Sequence, residues 1–432
     1  MNELQHIANN GLQALKSLGA DSAVCQAGRS QLREFNVDAG KFSLLRTTFD
    51  SSLNMTAIKD HKRGVVSTND LSDAALQTAA QECLAAAEAS QPDEAWTLAT
   101  EKQDKSFTLG APEADLDKLF MRSKELLDTI HREYPKVMME QMIVSHRRSE
   151  RVYVNSNDIT YRMLYGQYEV SLMFSGHEGD KSSSFNGSGV VVDNLDQPLI
   201  ELGDIRQALR DAELQIHTTA TEGKFEGTVI MTPMCLGNFL FMLLDNYTDG
   251  GVILEGTSQW KDKLGQQVTD PRLTVRIAPL HDAVVCGERY TQEGFLSEDY
   301  DVIKDGVLKQ FGLSAYIANK VGGKRAPNTA ANMVVSPGDT TLEDMIAGTK
   351  KGLLVSRFSG GQPGTNGDFS GVAKNTFLIE DGKIAGAVNE TMISGNLADV
   401  FNNIAGISQQ RNSDGMFLLP WMAFNGITIS GK

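Results

Sequence analysis

The chain has 432 residues, 41% hydrophobic and 22% charged, which is enough apolar material for a full core and for about three domain-sized units or two large ones. Its formal net charge of −15 excludes a general binder of phosphate backbones, which needs a basic surplus to release counterions. Four scattered cysteines without a Cys-x-x-Cys pair exclude a zinc knuckle or a dithiol redox motif.

The start, MNELQHIANN, is polar, and the longest apolar run (239–244, with its neighbours) is about half a bilayer span. We therefore expect a cytoplasmic protein with reduced thiols and neither a secretory leader nor a membrane contact. Residues 2–18 read as a helix, with Leu4, Ile7, Leu12, Leu15 and Leu18 near one face. Strand-like runs follow at 22–27, 31–37, 41–46, 53–58 and 65–68, separated by turn residues such as Asp38-Ala39-Gly40. Ser72 is a good N-cap for a second helix whose stripe is Leu76, Ala79, Ala80, Cys83, Leu84 and Ala87. The polar stretch 90–111 reads as a linker.

A third helix is predicted from Pro112 to about Tyr134. Strands of a meander follow at 136–145, 151–155, 160–174 and 182–192. The spacing of Tyr161, Met163, Tyr165, Tyr168, Val170 and Leu172 slips in phase near Gly166, which a bulge would explain. A fourth helix is expected over 204–219, capped by Asp204, and 219–227 reads as a boundary. The second half opens with a buried strand at 228–231 and an apolar helix from Pro233. Strands are then expected at 273–277, 284–286, 301–303, 307–311, 333–336 and 352–358, with a short helix at 342–349. Between 376 and 388 the Asp381-Gly382 pair predicts a hairpin, because both turn positions favour φ > 0. Ser394-Gly395-Asn396-Leu397 leads into a further helix, and 416–420 and 426–430 complete the sheet.

The implied class is α+β. An N-terminal region with curled antiparallel sheets and flanking helices spans 1–218, with sub-units at 1–90 and 110–218. A mostly-β, barrel-like domain with few helices spans 219–432.

The search for catalytic residues gives little. None of the seven histidines stands three to five residues from another, so no two-histidine zinc face forms on a helix. His281 reads as a turn residue after Pro279-Leu280. Gly187-Ser188-Gly189 leads into a strand, the wrong context for a nucleophile elbow. Gly322-Gly323-Lys324-Arg325 reads as a surface turn. Carboxylates stand near glycines, among them Asp368 and Glu390, but no pair is singled out. The glycine-rich stretch Gly367-Asp368-Phe369-Ser370-Gly371 suggests a backbone that something approaches closely, whether a bound segment or the chain itself.

Several short motifs, in order along nearly the whole chain, carry a resemblance. They are Gly19-Ala20-Asp21, Ser67-Thr68-Asn69-Asp70-Leu71-Ser72, Gly294 with Ile303-Lys304-Asp305-Gly306-Val307-Leu308, residues 367–371, Glu380-Asp381-Gly382-Lys383-Ile384, and Ile393-Ser394-Gly395-Asn396-Leu397. Together they resemble the TldD/PmbA family. The resemblance implies two kinds of subunit. One is a zinc metallopeptidase with a His-Glu-x-x-x-His helix after the first strand of the C-terminal domain and a cysteine ligand near the C-terminus. The other, PmbA-like or TldE-like, lacks these ligands and pairs with the first.

Here Pro233-Met234-Cys235-Leu236-Gly237-Asn238 occupies the motif's place, so Pro233 and Asn238 stand for the histidines and Met234 for the glutamate. Asn412-Ser413-Asp414-Gly415 offers no cysteine. Proline has no donor atom and methionine cannot serve as a general base. Cys235 is either a thiolate ligand or, as is more common, an inward-facing core residue.

The resemblance therefore implies a PmbA/TldE-like subunit with no catalytic residues and no metal or cofactor of its own, zinc being expected in a TldD-like partner. It implies capture of extended or unfolded peptides by strand addition, with residues 367–371 as the substrate-binding stretch. It also implies a homodimer or a heterodimer with the zinc subunit, and no direct nucleic-acid contact. Two rivals stand beside it. One is a self-sufficient peptidase using His281 or Cys286. The other is a regulator of a DNA-handling enzyme, since the family is also described as a gyrase modulator.

Overall fold

The structure, a computed structural model, describes residues 2–431. The first helix, α1 (Asn2–Ser17), buries Leu4, Ile7, Ala8 and Leu15. It leads into β1 (Ser22–Asp38) and β2 (Lys41–Lys59), a long hairpin turned at Ala39 and Gly40 with φ +46° and +75°. Each arm was expected as two short strands, yet the ladder runs from Ser22↔Ile58 to Asp38↔Lys41 with one irregularity at Asn36/Val37. Polar mid-arm residues such as Ser30 and Asp50 broke the apolar pattern while their backbones stayed paired. β3 (Lys62–Thr68) pairs with β2 only from Leu53 to Lys59. α2 (Asp73–Ala89) follows, its Ser72 cap accepting from Ala75 N.

The expected linker over 90–111 contains an edge strand, β4 (Gln103–Gly110), parallel to β6 (Ile159–Glu178). Pairing on one side only leaves β4 mostly exposed, which is why it read as polar. α3 (Leu116–Glu133) starts at an Asp115 cap, after Pro112. β5 (Val137–Asn155) is one strand where two were expected, and its ladder with β6 passes Gly166 without a bulge. The register shift lies at Met139/Gln141 instead.

The phase slip has another cause. Tyr161 packs with Tyr153 on one face, whereas Tyr168, Val170 and Leu172 pack with Met142 and Val144 on the other. The sheet changes covered face along one unbroken strand. β7 (Lys181–Ser182) and β8 (Asn186–Val192) split the expected strand 182–192, and β8 continues the sheet beside β6 where β4 ends. α4 (Ile205–Leu214) is shorter than 204–219, and Asp204 makes no capping bond; its carboxylate accepts from Ser188 instead.

The second sheet carries eleven strands. β9 (Lys224–Met231) runs into α5 (Pro233–Tyr247), then α6 (Gly250–Leu254), β10 (Val275–Ile277), β11 (Tyr300–Lys304), β12 (Val307–Leu308), α7 (Ala315–Val321), β13 (Met333–Val335) and α8 (Leu342–Ala347). β14 (Lys351–Gly360), β15 (Asp368–Glu380), β16 (Lys383–Val388), β17 (Thr391–Asn396), α9 (Leu397–Asn402), β18 (Ile404–Ser413) and β19 (Leu418–Ser430) follow. β9, β14, β15, β17 and β19 close into a five-stranded barrel. The chain is thus α+β.

The Asp381-Gly382 turn has φ +46° and +76°, as the hairpin requires. The segment 284–286 is a turn rather than a strand, since Cys286 takes φ +54°. The pieces expected at 416–420 and 426–430 merge into β19. Alternate residues of the barrel strands, including Val229, Leu353 and Phe424, join α5 in one core. Each such buried side chain contributes roughly 1.5–3 kcal/mol. Among the described residues no helix is long and apolar enough to cross a membrane.

Candidate functional site

Helix α5 starts sharply. Thr232 Oγ1 accepts from Cys235 N, and Pro233 sits in the first turn, where its missing N–H costs nothing. The start is held against β14 by Thr232 N donating to Val355 O at 3.1 Å. Two adjoining hollows of about 300 and 210 Å³ open there. Both are bordered by Asp204, Pro233, Met234 and Asn412, so they form one cleft between the first sheet and the barrel. Gly189 lines one hollow and Gly187 the other.

The glycines belong to a free strand edge. β8 pairs with β6 on one side. On the other, Val191 N donates to Asp414 O at 2.7 Å. Because strand residues two apart turn their N–H and C=O the same way, Gly189 and Gly187 present backbone groups to the cleft. Gly187 N is taken by Asn186 Oδ1; among the described residues no strand pairs with this edge. Without side chains at 187 and 189, another backbone could approach.

Three carboxylates surround the cleft. Burial raises the Asp204 carboxyl above its ordinary range, against the lowering effect of the Ser188 hydroxyl, and the nearby Asp414 adds to the rise. Burial likewise raises Asp414, although Met416 N and Phe417 N donate to it at 2.8 and 2.7 Å. Asp211, which accepts from Gln207 at 2.7 Å, is pushed up to about 6, chiefly by burial.

The residues present do not fit a zinc ion. Pro233 and Asn238 both border the cleft, but proline has no donor atom and asparagine offers no imidazole. Cys235 is fully buried in the core, and burial drives its thiol far above the ordinary range, the reverse of a thiolate ligand. Among the described residues, no group of three or more His, Cys, Asp or Glu is arranged to hold a metal.

The other predicted residues lie elsewhere. The stretch 367–371 begins at a turn beside the far end of α5. A Cβ on Gly367 would come within 2.0 Å of the Tyr247 hydroxyl, fourteen positions along the helix from Pro233, or about 21 Å. Asp368 accepts from Asn396 and Asn366. Phe369 is buried, Ser370 is exposed opposite Ser394, and Gly371 packs against Phe358 and Gly360. The close approach read from these glycines is made by the chain itself. His281 Nδ1 accepts from Ala283 N at 3.0 Å, as a turn residue. Cys286 is half-buried, its thiol pushed up to about 11 chiefly by burial.

Sequence reasoning did not find Asp204, Asp211 or Asp414, which come together only when β8, α4 and β18 meet. Gly187-Ser188-Gly189 was visible, but as a failed nucleophile motif. A larger hollow, about 700 Å³, lies away from this cleft; it is bordered by Lys350 and Lys351 together with Glu226, Glu380 and Asp381.

Comparison with known proteins gives consistent relations. Residues 223–431 match the PmbA/TldA metallopeptidase C-terminal domain and residues 27–87 match PmbA/TldA metallopeptidase domain 1. The metalloprotease PmbA of Escherichia coli O157:H7 is 25% identical over 438 residues, 95% of this chain and 93% of that one. The metalloprotease MJ0996 of Methanocaldococcus jannaschii is 26% identical over 204 residues, and that match spans 44% of each chain. The crystal structure of TldE from Thermococcus kodakarensis superposes with a TM-score of 0.84 at 19% identity, over 99% of this chain and 100% of that one, and so speaks to the fold alone.

Proposed function

The chain belongs to the PmbA/TldD metallopeptidase family as a PmbA/TldE-like member, and from that premise we propose that it is a non-catalytic, peptide-holding subunit of such a peptidase system. The observation that carries this reading is the cleft at the start of α5. It keeps a free strand edge at Gly187 and Gly189, while Pro233, Met234 and Asn238 supply no catalytic or zinc-binding group. An extended peptide adds to the β8 edge through main-chain hydrogen bonds, which need no catalytic side chain. The raised carboxylates Asp204 and Asp414 face it, suiting a peptide with amide or cationic groups over an acidic one. Residues 367–371 support the far end of α5 in this reading. Cleavage falls to a zinc-bearing TldD-like partner or, if the chain pairs with itself, to no site in this protein.

The test uses the isolated chain and an unstructured fluorescent peptide. Its controls are a sequence-scrambled peptide and two versions N-methylated at alternate residues, one in each phase. Expected are retained binding after scrambling, loss in one N-methylated phase only, no cleavage, and zinc well below one equivalent by elemental analysis. Equal binding of both N-methylated phases would overturn the edge reading. One tightly held zinc with chelator-sensitive cleavage would overturn the non-catalytic reading.

A further inference from the structure

The smaller hollow of the cleft, about 210 Å³, is bordered by Gly187 of the β8 edge. Sites for whole small-molecule ligands run from roughly 300 to 1,000 Å³, so this one suits a single side chain of a bound segment. One wall is a face of α4. Asp204, Gln207 and Asp211 are spaced three and seven positions apart, which sets them on one side of a helix, and all three border the hollow. Asp211 is only 8% exposed. One of its oxygens accepts from Gln207 Nε2; the other has no hydrogen-bond partner among the described residues. Asp204 likewise uses one oxygen, accepting from Ser188.

Among the described residues, no cation forms an ion pair with either carboxylate, and Asp414 adds like charge from the adjoining hollow. The arginines of α4 do not fill the gap. Arg206 pairs with Glu133 and Glu201, and Arg210 weighs on Asp211 less than burial does. A carboxylate buried without a cation destabilises the fold, and a cation that arrives with a ligand offsets that cost. The other walls include Met234 and Trp421. Both can cover a methylene stem, and an indole face also attracts a cation.

We propose that this hollow is the side-chain subsite of the β8 edge and that it takes a basic residue, lysine or arginine, of the bound peptide. The proposal rests on the peptide reading of that edge. The peptide backbone pairs at Gly187 and Gly189, and a side chain of one phase of the added strand turns toward the hollow. Its stem passes Met234 and Trp421, and its charged head meets Asp204 and Asp211. The basic residue thereby fixes which phase of the peptide faces the edge. An acidic side chain would add to the charge already there, and a neutral one would leave Asp211 unpaired. A metal ion is the poorer occupant, because among the described residues no group of three His, Cys, Asp or Glu forms a ligand set.

Fluorescence anisotropy tests it, with the full chain and three unstructured peptides that differ at one central residue. That residue is lysine, arginine or norleucine, the last keeping lysine's stem without its charge. Lysine and arginine peptides are expected to bind about tenfold or more tightly than the norleucine peptide at pH 7. Asp204→Asn/Asp211→Asn should bring that ratio close to one, with thermal melting checked for folding. If the double variant melts early, Asp211→Asn alone should still lower the ratio severalfold. Glu380→Gln/Asp381→Asn removes the same charge away from the cleft and should keep the ratio. Equal binding of all three peptides, with loss still confined to one N-methylated phase, overturns the basic subsite and leaves the edge reading standing. Failure of all three to bind overturns both. A ratio that survives Asp204→Asn/Asp211→Asn, or falls as far in Glu380→Gln/Asp381→Asn, traces the preference to the net charge of −15 and overturns the subsite.

Discussion

The rings of Phe239 and Phe369 meet edge to face, with centroids 5.0 Å apart, and Phe358 meets each of them at 5.0 and 5.9 Å. The glycine-rich stretch is therefore tied into the barrel core beside α5. Phe369→Ala should destabilise the protein by about 3–5 kcal/mol, seen as a lower midpoint in urea with an unchanged slope. Ser370→Ala, on the exposed side of the same strand, should stay within about 0.5 kcal/mol and leave peptide affinity unchanged. Weaker peptide binding in Ser370→Ala with intact stability would bring the ligand to this stretch after all.

Asp211 gives the cleft a pH dependence. Its ordinary value is 3.8, and burial raises the folded value to about 6. Between these values the folded state holds a proton that the unfolded state has released, so stability falls as pH rises through that window and levels above it. The cost at neutral pH is on the order of 2–3 kcal/mol. Asp211→Asn keeps the acceptor for Gln207, and should raise the melting temperature at pH 7 and flatten the slope between about pH 4 and 6. A steeper slope, or a lower melting temperature at pH 7, would show that the ionised carboxylate is stabilising.

Much of this architecture was legible from residues that carry local rules. Ser72 caps α2, Asp381-Gly382 turns the β15–β16 hairpin, and Pro233 opens α5, because each answers a nearby backbone requirement. Long strands were read as fragments where Ser30 or Asp50 interrupts the apolar pattern, since a paired backbone needs no apolar side chain. The slip at Gly166 was real but misassigned. Alternation reports which face is covered, and here the covering layer changes sides between Tyr161 and Tyr168. The cleft was legible only at Pro233, Met234 and Asn238. Gly189, Asp204 and Asp414 are 15 to 225 residues apart in sequence, and nothing local signals their meeting.

Trp96 fastens the polar segment after α2 to the second half of the chain. Its ring stacks on Tyr316 at 3.9 Å, with the Arg63 guanidinium 4.7 Å from its centroid on the first sheet. Tyr316 donates to Asp93 at 2.8 Å, and Asn319 to Ala95 O at 2.9 Å. Trp96→Ala should cost about 3 kcal/mol and raise hydrogen exchange in residues 90–99 and in α7. If exchange there does not change, the stack is not what holds the two parts together.

Thiol chemistry tests the demotion of α5 and the self-sufficient peptidase together. A nucleophilic or ligating cysteine must reach the thiolate form, which a positive neighbourhood favours and burial opposes. Cys25 and Cys83 are buried in the N-terminal core, and Cys235 in the barrel core. Burial pushes Cys25 up to about 12 and Cys83 up to about 11. Cys286 is the accessible one, yet its thiol is also pushed up to about 11, with Arg289 only partly offsetting burial. Native protein at pH 7 should therefore label slowly with a maleimide, at Cys286 first. The rate should climb about tenfold per pH unit below that value, as the thiolate fraction does. Cys286→Ala should leave peptide binding unchanged, because the side chain faces Gly166 and not the cleft. Rapid labelling of Cys235, read by peptide mass spectrometry, would mean that the first turn of α5 opens in solution. Its thiol would then stand at the cleft beside Met234, and the reading of this helix as a packed, ligand-free wall would fail.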